Sequence, residues 1–92
     1  MQFEWNEHKA RQNEHKHGVS FQEALTCFYD PRQIAFYDAD HSEDEDREIL
    51  LGHSRQGRLL VVCYTLRDDL VIRLISARRA TRKEAQDYAK RI

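Results

Sequence analysis

The chain has 92 residues, 40% hydrophobic and 34% charged, which allows one core and excludes two. No apolar run approaches the ~20 residues that cross a bilayer, and "MQFEWNEHK" lacks the basic-then-apolar build of a secretory leader. A cytoplasmic protein forming one domain over residues 1–92, with no membrane partner, is therefore expected. Net charge is −1, and only two cysteines occur, too few for a disulfide framework.

"QFEW" reads as a short first strand. Asn6 is a plausible N-cap for a helix through "EHKARQNEHKH", which Gly18 stops by tolerating the left-handed conformation. "SFQE" at 20–23 is a capping box, in which Ser20 accepts from the backbone of Glu23 and Glu23 reaches back. It opens a second helix that Pro31 ends. Phe21, Ala24, Leu25 and Phe28 recur on it at helical spacing and should face the core. "QIAFYD" reads as a strand, "DADHSEDEDR" as a polar loop and "REILLGHS" as another strand. "RLLVVCYTL" is the most apolar run and should be central. "RDD" makes a hairpin turn into the long last strand "LVIRLISARR". "TRKE" at 81–84 is a second capping box that opens a C-terminal helix. The order predicts an α+β domain with two helices over one face of an antiparallel meander, leaving the other face more open. Cys27 in "ALTCF" and Cys63 in "LLVVCY" sit in apolar settings and should be buried, reduced thiols.

The near-zero net charge hides a division. Residues 1–37 carry −1, residues 38–52 carry −6 and residues 53–92 carry +6. Such asymmetry points to an anionic partner for one surface, or to attraction between the two halves. The acidic loop alternates Asp38, Asp40, Ser42, Asp44 and Asp46 like a calcium loop. Its sixth and twelfth positions are Glu43 and Ile49, where such a loop needs Gly and a bidentate Glu, so calcium is not expected. His15 and His17 are two apart on a helix and point away from each other, so no metal site is expected there. There is no glycine-rich phosphate loop and no nucleophile elbow, and no cofactor is expected.

The basic excess concentrates in "RLISARRATRKEA", residues 73–85. Strict alternation puts Leu70, Ile72, Leu74, Ser76 and Arg78 on one face, and Val71, Arg73, Ile75, Ala77 and Arg79 on the other. A charge inside an apolar strand must reach solvent, a partner or a ligand. Arg73 therefore marks the open face, and Arg79 should share it. The plain reading is that these arginines are solvated or pair with the acidic loop. The functional reading is a phosphate cradle for RNA or DNA, because guanidinium forks match phosphate oxygens, with the helix start at Thr81 beside them.

The stretches "FEWNEHKARQNEHKHGVSFQEA", "LLVVCYTLRDD" and "IRLISARRATRKEAQDY" closely resemble the BrnT family of type II toxins, from Phe3 to about Tyr88. The pairing of "KHGVSF" with "ISARRAT" is the specific part. The resemblance implies a compact RelE-like fold and a metal-independent endoribonuclease that inhibits translation and growth. It also implies a BrnA-like ribbon-helix-helix antitoxin, through which alone the protein meets DNA. Without a metal, RNA cleavage would use the 2′-hydroxyl as nucleophile, with a proton acceptor, a proton donor and cations on the phosphorane. Arg73 and Arg79 are the expected phosphate-stabilising pair, with Arg78 a further candidate if the strand twists or bulges, and Arg47 another. His17, His53, Tyr64 and Glu48 are open choices for proton transfer. Lys16, His17, Ser76, Arg78 and Arg82 are expected to touch RNA, although Lys16 and Ser76 have structural readings too. Two alternatives stand beside this one: a non-catalytic member acting only as co-repressor, and a plain RNA-binding module.

Overall fold

Among the described residues, five strands and three helices follow the expected order. In this computed structural model, residues 1–38, 46–68 and 70–90 are described. The strands are β1 (Gln2–Glu4), β2 (Ile34–Tyr37), β3 (Glu48–His53), β4 (Leu59–Arg67) and β5 (Val71–Arg79). The helices are α1 (Glu7–His17), α2 (Phe21–Leu25) and α3 (Arg82–Ala89). The architecture is α+β. The calcium-like pattern lies mostly outside the described residues.

The sheet order is β1-β5-β4-β3-β2, so the most apolar strand, β4, is central. Strands β2 to β5 form the antiparallel meander, and β1 adds a parallel edge on Val71–Arg73. One sheet face carries the main core: Leu50, Leu60, Val62, Ile72, Leu74 and Ala77, with Val19, Phe21, Ala24 and Cys27 from the N-terminal helical segment. Leu25 and Phe28 pack at its margin. The other face is not fully open. Near β3 it carries a smaller cluster of Leu51, Val61 and Tyr88, the last from α3.

Local caps are as the residue types dictate. Asn6 accepts from the Lys9 backbone, and Gly18 ends α1 at φ 68°. Ser20 accepts from the Glu23 backbone at 3.0 Å. Glu23 does not reach back to close that box. Its carboxylate is buried against the Arg58 guanidinium and takes the Ser54 hydroxyl at 2.7 Å. The second helix is also shorter than expected, because Thr26–Tyr29 tighten into a 3-10 turn. Thr26 explains this: its hydroxyl donates back to Glu23 O at 2.6 Å and accepts from the Arg55 backbone at 2.9 Å. That turn lies so close to β3 that a Cβ on Gly52 would stand 3.1 Å from Cys27 O.

One irregularity reorganises the last strand. The ladder pairs Tyr64 with Leu74 but Cys63 with Ser76, so Ile75 is an extra residue. A bulge of this kind inverts the face of every residue beyond it. Ile72 and Leu74 are buried before it; Ala77 is buried after it. Strict alternation therefore fails at Ile75. Arg79 joins Ala77 on the core side, opposite Leu60, and Arg78 moves to the face that Arg73 occupies.

The bulged segment is pinned from α1. β1 reaches only Arg73, and beyond it the Asn13 amide takes the place of a strand. Asn13 Nδ2 donates to Ala77 O at 2.9 Å and to Val19 O at 3.0 Å, and Ala77 N donates to Asn13 Oδ1 at 3.1 Å. Asn13→Ala leaves three buried backbone groups unpaired, so unfolding stability should fall by about 1–3 kcal/mol. Urea titration of the two proteins checks this; an unchanged midpoint would mean that water or another side chain fills the gap.

Candidate RNA-cleaving cleft

A cleft of about 280 Å3 opens on the face beside α3, which the bulge turns toward Arg78. Its floor is Ile49 and Val61, and Cys63 and Ser76 meet across the β4–β5 ladder. Arg47 and Asp38 stand at the β2–β3 end, where Asp38 N donates to Arg47 O at 2.9 Å. Arg78 lines the other wall.

Arg78 is held in a fork. Its Nη1 and Nη2 donate to Glu84 Oε1 and Oε2 at 2.8 and 2.9 Å. Glu84 also accepts from Thr81 N and completes the capping box of α3. The Arg78 guanidinium first, then Thr81, lowers the Glu84 carboxyl to about 2. Glu84 is thus an anchor and a poor proton carrier near neutral pH. Cys63 is half-buried in the cleft wall, a departure from full burial. Burial raises its thiol, with Arg47 opposing, so it is not an activated nucleophile. Cys27 is fully buried, and burial pushes its thiol up to about 12.

The expected site residues separate into groups. Arg47, Ser76 and Arg78 share the cleft. Lys16 and His17, at the end of α1, line an adjoining hollow with Ile75 and the same Ser76. The remaining candidates do not join them. Arg73 and Arg79 do not form the expected pair, because the bulge sends them to opposite faces. Arg73 Nη1 is bound at 2.8 Å to Glu4 Oε2, which also takes Arg67 at 3.1 Å. Those hydrogen bonds, Arg73's first, lower the Glu4 carboxyl. Tyr64 lies on the core face, packed edge-on against Phe28, and donates to Glu48 Oε2 at 3.0 Å. It is nearly buried, and burial followed by Glu48 raises its hydroxyl. Tyr64 and Glu48 therefore serve each other across the ladder and do not reach the cleft.

His53 is at the far end of β3 from Arg47, six residues or about 20 Å along a strand. Its ring packs on Tyr88 and its Nδ1 is 3.9 Å from Asp30 Oδ2. Asp30 also takes the Tyr88 hydroxyl at 2.6 Å and His53 N at 2.8 Å. Burial alone would raise the Asp30 carboxyl, but these donors, Tyr88 first, lower it. The trio docks α3 and is structural. Arg82 is exposed at the start of α3 and lines none of these hollows. Sequence reasoning missed the wall residues Ile49, Val61 and Cys63, and the Arg78–Glu84 fork, for which the spacing i to i+6 across a strand–helix junction gives no periodic signal. Among the described residues, no three His, Cys, Asp or Glu side chains come together to hold a metal ion. Nor, among the described residues, is any helix long and apolar enough to cross a membrane.

The same fold occurs in a ribonuclease toxin of known structure. The crystal structure of BrnT, a ribonuclease toxin from Brucella abortus, superposes with a TM-score of 0.68 at 22% identity, over 89% of this chain and 99% of that one. No curated protein sequence matches the chain. The family model for BrnT, the ribonuclease toxin of type II toxin-antitoxin systems, matches residues 5–84. The chain belongs to the BrnT family.

Proposed function

We propose that this chain is a metal-independent endoribonuclease with a compact RelE-like fold, acting in the cytoplasm as a single toxin domain and neutralised by a BrnA-like antitoxin. The observation that carries the reading is the meeting of Arg47, Ser76 and Arg78 in one cleft. At about 280 Å3 it lies near the lower end of small-molecule sites, roughly 300–1,000 Å3, and suits one linkage of a longer chain.

In this reading the scissile phosphate binds between Arg47 and Arg78, whose charges stabilise the phosphorane. The 2′-hydroxyl gives its proton to a base and attacks phosphorus. The bond to the 5′-oxygen breaks, and that oxygen takes a proton from an acid. Among the four groups named for proton transfer, His17 alone borders this groove, through Ser76, and is assigned as the base. Phe36 and Tyr37, half-exposed on the edge strand β2, offer the apolar surface that a protein antitoxin would cover. DNA enters only through that antitoxin.

The purified chain, incubated with RNA in excess chelator, should cleave it and leave 2′,3′-cyclic phosphate and 5′-hydroxyl ends. Cleavage that a chelator abolishes, or products with 3′-hydroxyl ends, would sink the mechanism. Intact RNA with tight antitoxin binding would replace it by the co-repressor role.

A further inference from the structure

The cleft does not end at Ser76. It continues as a chain of hollows over α1. The second hollow, from Ser76 and Ile75 to His17, is bounded on the helix side by Lys9, Gln12 and Lys16. Gln12 and Lys16 also line a third, whose other walls are His8, Arg11 and His15. Each hollow thus shares residues with the next. Neither of the two outer ones has a carboxylate in its lining. At 100° per residue, Glu7 and Glu14 fall beyond Arg11, on the flank away from Lys9 and Lys16. Among the described residues, Lys9, Arg11 and Lys16 make no ion pair, whereas Arg58, Arg67, Arg73 and Arg78 all do.

The geometry points to α1 as a second binding surface that holds the backbone of single-stranded RNA leaving the cleft. This rests on the ribonuclease reading of the cleft. Charge complementarity selects the occupant: a run of unpaired cations continuous with a phosphate-sized cleft matches a polyanion threaded through it. From Lys9 through Lys16, Gln12 and His15 to Arg11 the lining wraps part of the way around the helix, an arc of about 15 Å on a helix roughly 10–12 Å across, with room for two or three successive phosphates. Phe, Tyr and Trp are absent from the lining, whose rings are the imidazoles of His8, His15 and His17 beside Lys9, Arg11 and Lys16, so it reads chiefly phosphates. It lends affinity without sequence preference, and leaves any preference to the cleft.

The test uses the folded full chain and RNA that is 2′-O-methylated throughout, which binds but cannot be cut. Affinity for a trinucleotide, which fills the cleft alone, is compared with affinity for a dodecanucleotide. Wild type should gain at least about tenfold from the added length. Lys9→Glu with Arg11→Glu should abolish that gain and flatten the salt dependence by about 1.4 in log–log slope for the two lost contacts. Both positions are exposed, so folding should survive, which circular dichroism checks. Lys83→Glu with Lys90→Glu, an equal charge change at exposed positions of α3 and its C-cap, should keep the gain. A length gain that persists in the double variant, or its absence in wild type, overturns the track even if wild type cleaves RNA. A gain that the double variant abolishes, in a wild type that leaves unmodified RNA intact, upholds the track and discards the ribonuclease reading.

Discussion

Arg78→Ala should lower RNA cleavage by about 10²–10³-fold, the usual consequence of removing one preorganised donor from a phosphorane. The fork to Glu84 is the reason for so large a figure. A guanidinium held at two points keeps its orientation before substrate arrives, so little is lost to reorganisation on binding. The loss should not be a folding defect, because Thr81 N still donates to Glu84 and the helix cap survives. Arg78→Lys keeps a charge but not the fork, and should recover only part of the rate. Arg79→Ala provides the contrast. The two arginines are neighbours in sequence, yet the bulge at Ile75 places Arg79 on the core side. Its cleavage should stay within a few-fold of wild type, as should that of Arg73→Ala, where the side chain is tied to Glu4. Initial rates on one RNA substrate measure all four. A dead Arg79→Ala beside an active Arg78→Ala would reverse the assignment of faces.

That contrast also shows what the sequence could and could not disclose. Apolar runs and the turns between them located every strand, and caps located both longer helices: Asn6 and Gly18 for α1, the "TRKE" box for α3. The apolar density of "RLLVVCYTL" placed β4 at the centre of the sheet. Alternation assumes an unbroken pleat, however, and Ile75 breaks it without a marker: no glycine or proline stands there. Arg73 and Arg79 thus read as partners although they are not, and Arg78 read as an alternative although it faces the cleft. Tyr64 and His53 looked suitable as proton carriers by type alone. What removed them was tertiary: Tyr64 faces Phe28, and His53 sits a strand's length away. The Glu23 capping box failed in the same way. The local motif was present, but a more demanding partner came from 35 positions downstream.

That partner, Arg58, underlies the largest stability effect expected in the molecule. Glu23 is 5% exposed and takes Arg58 Nε at 2.9 Å, a second Arg58 contact through Nη2, and the Ser54 hydroxyl. Arg58 also donates to Gly18 O at 3.0 Å, so the pair ties the α1–α2 junction to the β3–β4 turn. Removing one member of a buried pair strands the other, at about 3–5 kcal/mol. Arg58 retains partial access to water, which places Glu23→Gln near the lower figure. Against a domain stability of about 5–15 kcal/mol, that is a large fraction, and the melting temperature should fall by about 12 °C or more. The dependence on pH has a definite sign. Arg58 first, then Ser54, lowers the Glu23 carboxyl from its ordinary 4.5. Its contribution is complete above pH 4.5 and is lost as pH falls through the lower, folded value. Wild type and Glu23→Gln should therefore differ most near neutrality and converge in acid. The double variant Glu23→Leu with Arg58→Met should regain much of the loss, since apolar groups of similar volume need no partner. Thermal melts of the three proteins from pH 7 to pH 3 decide the matter. A gap that holds constant across that range would show that packing at position 23, and not its charge, secures the junction.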